Sequence, residues 1–260
     1  MGSLNTYPKD SVKKSSCTTL PRERSTKSQK DSMSKLMGLA IFGEKVAAKT
    51  YIRMSELHPE HGIFLRKFAA MEGQHAAWFV AACEKNSVIP DREFADNELG
   101  YLISQVEDHF KNKDVDALAI LQGFIVESLA IATYEPFLAI APKYPGTLEP
   151  FQKALAEEHY HVDWVTRFLR LRFFDKEDQF LELADRVNVQ GIDCIGGTMM
   201  NIADCLDSIG LSGADCAGAL MDGYTELLET IGIESKKATK NVVGMFIPLI
   251  RKYRHGEKTK

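Results

Sequence analysis

Four glutamates stand in stretches that are otherwise apolar, and they recur in one order: a lone Glu, then Glu-x-x-His, then a lone Glu, then Glu-x-x-His. The first is Glu44, in Ala-Ile-Phe-Gly-Glu44-Lys-Val-Ala-Ala, and the second is Glu72 with His75, in Ala-Ala-Met-Glu72-Gly-Gln-His75-Ala-Ala. The third is Glu127, in Gly-Phe-Ile-Val-Glu127-Ser-Leu-Ala, and the fourth is Glu158 with His161, in Ala-Leu-Ala-Glu-Glu158-His-Tyr-His161-Val. Residues three apart share a helix face, so each Glu-x-x-His can aim at one centre. The intervals Glu44–Glu72 and Glu127–Glu158 each accommodate two antiparallel helices and a turn. Two such pairs facing each other would gather all six side chains.

A carboxylate taken out of water costs several kcal/mol unless it is paired. No Lys or Arg accompanies three of the four, and Lys45 points to another face than Glu44. Two divalent cations would match four carboxylates charge for charge, with two neutral imidazoles completing the set. Six ligands over two metals leave positions open for dioxygen or substrate. Carboxylate and imidazole without thiolate favour two iron ions, with manganese possible, over zinc. This is the di-iron arrangement of ferritin-like bundles. Tyr51 and Tyr134 lie two helical turns beyond Glu44 and Glu127, where each phenol can hydrogen-bond a ligand of the other helix pair. Gln122, shortly before Glu127, is a further candidate for the outer shell. Glu157 falls beside the site, but Glu158 is in register with His161.

The remaining sequence reads as helix almost throughout. Amphipathic helices are expected over 34–57, 60–86 and, shorter, 96–111; 114–140 is nearly apolar all round, which marks a central, buried helix, with Pro136 kinking it or ending its regular part. Further helices are expected over 147–174, 176–209 (broken near Gly191 or Gly196), 212–231 and 237–253. No alternating strand pattern occurs. The expected class is all-α, a ferritin-like four-helix di-iron bundle with additional C-terminal helices, in one domain over 32–254. Residues 1–31, rich in Ser, Thr, Lys and Arg, are expected as a disordered tail, and 255–260 as a short polar one. A net charge of -4 argues against a nucleic-acid partner. No apolar run reads as a membrane span, and five scattered cysteines without a CxxC pair suit a reduced, cytoplasmic setting.

Three stretches carry a family resemblance: Met71-Glu72-x-x-His75 with Phe79 and Val88-x-Pro90-Asp91-x-x-Phe94-Ala95; Gln122-x-x-Ile125-x-Glu127-x-x-Ala130-Ile131-Ala132-x-Tyr134; and the acidic Glu157-Glu158-x-x-His161. Together they resemble the cyanobacterial aldehyde-deformylating oxygenases, once called aldehyde decarbonylases. The resemblance implies that Glu44, Glu72, His75, Glu127, Glu158 and His161 ligate two irons. It implies dioxygen-dependent conversion of a long-chain fatty aldehyde to an alkane one carbon shorter plus formate. Electrons would come from an external donor such as ferredoxin with its reductase. An apolar substrate channel along the bundle is implied too, with Gly43, Phe79 and Phe124 as candidate lining. Glu135-Pro136 departs from the family pattern, which has Asn and no proline there. Two alternatives stay open: a related di-iron oxygenase acting on an amine or specialised metabolite, and a ferroxidase or iron-storage protein.

Overall fold

The computed structural model describes residues 26–254, and the regular structure of these residues is entirely helical. Helix α1 spans Lys27–Leu57, α2 Gly62–Asn86, α3 Arg92–Lys111, α4 Val115–Ile120, α5 Glu127–Ile140, α6 Leu148–Asp175, α7 Glu177–Ile209, α8 Gly213–Ile231 and α9 Ser235–Arg254. A π-helical segment, Leu121–Val126, joins α4 to α5 without a break.

Helix α1 begins well before Ser34. Thr26 and Gln29 form a capping box: the Gln29 amide donates to Thr26 Oγ1 at 3.2 Å, and the Thr26 amide donates to Gln29 Oε1 at 2.9 Å. Residues 27–31, expected in the tail, are therefore helical; the rest of that tail and 255–260 lie outside the described residues. The Asp91 side chain caps α3 by accepting from the Phe94 amide at 2.9 Å, so that helix also starts earlier than the apolar pattern indicates. Pro136 sits inside α5, which continues past it to Ile140. Helix α7 is not broken at Gly191 or Gly196. At Gly191 a side chain would run into Ile125, so the missing Cβ lets α7 approach the π segment closely.

Helices α1 and α2 form one antiparallel hairpin and α5 and α6 the other. The two hairpins face each other, with α1 opposite α5 and α2 opposite α6. Helices α3 and α7 pack on α1, α8 packs on α5, and α9 packs against α8. Tyr51, Phe68, Phe79, Leu118 and Phe124 are among the side chains wholly removed from solvent in this core. The expectation that no apolar run is long enough to cross a membrane needs correction: the continuous helix over 115–143 contains an 18-residue window of mean hydropathy 1.8. That window is 72% buried within the bundle, however, and its apolar faces are covered by α1, α6, α7 and α8. It is the central core helix.

Candidate metal centre

The four helices of the facing hairpins bring Glu44, Glu72, His75, Glu127, Glu158 and His161 together, none more than 3% exposed. His75 Nδ1 lies 3.1 Å from Glu44 Oε2, 3.2 Å from Glu72 Oε2 and 3.2 Å from Glu158 Oε1. His161 Nδ1 lies 2.9 Å from Glu72 Oε1, 3.2 Å from Glu158 Oε2 and 3.7 Å from Glu127 Oε1. Two groups of donor atoms result, each within 4.8 Å: Glu44, Glu72, His75 and Glu158, and Glu72, Glu127, Glu158 and His161. Glu72 and Glu158 belong to both and so stand at the centre.

A second layer of hydrogen bonds orients these groups. The Tyr51 hydroxyl, on α1, donates to Glu127 Oε1 of α5 at 2.6 Å, and the Tyr134 hydroxyl, on α5, donates to Glu44 Oε1 of α1 at 2.5 Å. Each phenol thus serves the lone Glu of the opposite helix. Gln122 Nε2 donates to Glu127 Oε1 at 2.8 Å. Five residues do not return to the same side of an α-helix. The π segment, in which the Glu127 amide donates back to the Gln122 carbonyl, makes that alignment possible. Glu157, out of register as a ligand, accepts from His75 Nε2 at 2.7 Å. That bond engages Nε2 and turns Nδ1 toward the centre, where it could serve as a metal ligand. The sequence signal for it was simply the doubled acid before His161.

The electrostatics are those of four carboxylates enclosed with only two imidazoles beside them. Burial pushes the Glu44 carboxyl up to about 8, against the opposing pull of His75. Burial likewise pushes Glu127 well above the carboxylate range, with the Glu158 charge adding to it. For His161, burial opposes protonation, but the adjoining Glu158 and Glu72 carboxylates outweigh it and raise the imidazole to about 11. Neither oxygen of Glu72 has a well-aligned hydrogen-bond donor, nor has Glu158 Oε1. Buried carboxylate oxygens without donors, shared between two groups of oxygen and nitrogen atoms, fit a pair of divalent metal ions. A bound pair would replace the protons these groups otherwise retain.

A narrow apolar cavity reaches this centre from one side. Its inner end is bordered by Glu44, Glu127, Glu158 and Tyr134, and its wall is otherwise almost wholly apolar, from α1, α3, α5 and α7. Gly43 lines it, and a Cβ there would meet nothing within 4 Å. Phe79 and Phe124, the other two candidate lining residues, do not. Phe79 lies a layer behind the wall, stacked on Phe151 at 4.4 Å, and Phe124 turns to the far side of the central helix to meet Tyr224 at 5.6 Å. Their nearness to the ligands in sequence does not place them on the face where α1 and α5 diverge.

Comparison with known proteins agrees with this architecture. A structure of a protein with aldehyde deformylating oxidase activity from Synechococcus superimposes with a TM-score of 0.80. The two are 22% identical, and the match covers 85% of this chain and 99% of that one. The ferritin-like helical fold is common to both. The family described as long-chain fatty aldehyde decarbonylase matches residues 26–245, from the capping box of α1 into α9. With a match over most of its length and the fold to go with it, the chain belongs to the long-chain fatty aldehyde decarbonylase family.

Proposed function

We propose that this chain is a non-haem di-iron oxygenase that converts a long-chain fatty aldehyde to an alkane one carbon shorter, with formate as co-product. The observation that carries this reading is the junction of an apolar cavity with the Glu/His cluster. Glu44, Glu72, His75 and Glu158 would hold one iron, and Glu72, Glu127, Glu158 and His161 the other. The iron pair, once bound, supplies the redox chemistry with dioxygen, using electrons from an external donor such as ferredoxin with its reductase. Manganese is the alternative occupant.

The protein's own residues do the rest. The cavity wall binds the alkyl chain by burying it, at about 0.8 kcal/mol per methylene. It leaves the aldehyde carbon at the inner end beside Glu44, Glu127 and Glu158, and it keeps bulk water away. Tyr134 stands at the same end with its proton directed at Glu44 Oε1, which fixes that carboxylate as the substrate arrives. An iron-storage role calls for a polar path for hydrated ions, whereas only Thr133 and Thr198 interrupt the apolar wall short of the centre. The chain would work in the cytoplasm, where reduced thiols and soluble electron donors coexist.

The test is reconstitution under anaerobic conditions, metal analysis, then dioxygen, a reducing system and aldehydes of several lengths, with products followed by gas chromatography. Two irons per chain, hydrocarbon one carbon shorter, and labelled formate from carbonyl-labelled aldehyde are expected. Oxidation of an amine with no aldehyde turnover would support the related oxygenase instead. Rapid ferrous oxidation with no organic product would support a ferroxidase.

A further inference from the structure

The chain has two tryptophans, and each follows a candidate ligand histidine by one helical turn. Both motifs therefore extend to Glu-x-x-His-x-x-Trp: Glu72, His75, Trp78 and Glu158, His161, Trp164. The Trp78 ring lies 5.6 Å from that of His75. Trp164 reaches His161 through Phe68, whose ring is 5.7 Å from Trp164 and 4.6 Å from His161. Both indoles are partly exposed, so each forms a bridge of aromatic rings between a buried imidazole and the surface.

The two bridges differ in charge. Lys153 Nζ sits 5.6 Å over the Trp78 ring. A cation there is held by the electron-rich ring and resists the removal of an electron from it. Trp164 is enclosed by rings instead: Phe168 stacks on it at 5.4 Å with planes 14° apart, and His61 meets it edge-on at 5.5 Å. The stacked Phe168 face favours the positive charge of an oxidised indole, and no Lys or Arg is recorded over the Trp164 ring among the described residues.

We infer that Trp164 is a one-electron outlet of the metal centre, protecting the ligands when reduced iron meets dioxygen with no aldehyde in the cavity. This rests on the di-iron reading above. In the step, the Trp164 indole gives one electron through Phe68 and His161 to the oxidised iron, which is reduced by that electron. The indole radical cation releases its N–H proton to water. The neutral indole radical then takes one electron and one proton from a thiol, which is oxidised in turn. With no outlet, the oxidising equivalent stays beside Tyr51, whose ring is 5.4 Å from that of His161, and beside the ligands themselves.

The experiment loads the full chain anaerobically with ferrous iron, counts the iron, and admits dioxygen without aldehyde. Freeze-quench electron paramagnetic resonance and peptide mass spectrometry then locate the oxidised side chain. Wild type and Trp78→Phe are expected to give an indole radical and oxygen adducts on Trp164, with none on Trp78. Trp164→Phe is expected to lose the signal, and Trp164→Tyr to replace it with a tyrosyl one, which also shows that the site tolerates substitution. Zinc-loaded protein is expected to give neither radical nor adduct. Two irons with an unchanged radical in Trp164→Phe, no radical at all, or adducts equally on Trp78, would overturn the outlet alone. A chain that takes up no iron would overturn the outlet together with the reading beneath it.

Discussion

Tyr51 and Tyr134 each commit their one hydroxyl proton to a carboxylate across the bundle, so each fixes a candidate ligand that its own helix does not carry. A hydrogen bond to a charged group contributes about 1.5–3 kcal/mol, and outer-shell partners of metal ligands commonly contribute roughly 10–100-fold in affinity. Tyr134→Phe is expected to weaken metal binding by about that factor while leaving the helical content unchanged, as competition with a chelator would measure. Protonation gives a second expectation at this scale. In the metal-free protein Glu44 holds its proton up to about 8, whereas an ordinary glutamate loses it near 4.5. Folding therefore takes up a proton across that interval, and the stability Glu44 contributes is lost as pH rises through it. His161, raised from 6.5 to about 11, acts in the same direction over a higher interval. The melting temperature of the metal-free protein is expected to fall between pH 5 and 8 for these groups, and metal affinity to rise, because each ion displaces protons. Calorimetry across that range, with and without metal, checks both signs.

At the scale of the helix, Gly43 is the informative position. It lies mid-helix in α1, faces the cavity, and has open space where a Cβ would stand. Gly43→Ala is expected to stabilise the fold by about 0.5–1 kcal/mol through helix propensity. The same methyl group narrows the passage to the centre, so turnover of the longest aldehydes should fall relative to shorter ones; paired thermal melts and product profiles separate the two effects. The helices themselves were legible in the sequence. Because helical period couples spacing to face, one lone Glu and one Glu-x-x-His per hairpin were enough to place four helices and six converging side chains. The start of α1 was not legible, since its cap is a short polar motif in a Ser/Thr-rich stretch that resembles a tail. The cavity wall was hidden for another reason: it depends on how α3 and α7 cross α1, and no local spacing encodes a crossing. Phe79 and Phe124 adjoin ligands along the chain and yet pack away from the cavity for that reason.

For the molecule as a whole, four carboxylates closed inside one core would, on the metal reading, make metal content a determinant of stability. A ligand at a hundred times its dissociation constant adds about 2.7 kcal/mol to the folded state. Chelation is accordingly expected to lower the melting temperature by several degrees and to increase protease sensitivity near α1 and α5, as scanning calorimetry and limited proteolysis would show. The reciprocal pairing of Tyr51 with Glu127 and Tyr134 with Glu44 amounts to an approximate dyad, with one hairpin repeating the other. The surroundings do not obey it. Glu157 tightens His75 while His161 Nε2 has no partner, and Gln122 attends Glu127 with no counterpart recorded at Glu44. Two ions held in a near-symmetric cradle with asymmetric surroundings would be inequivalent. A Mössbauer spectrum of the iron-loaded protein should therefore resolve two quadrupole doublets, and Glu157→Gln should move one of them and spare the other.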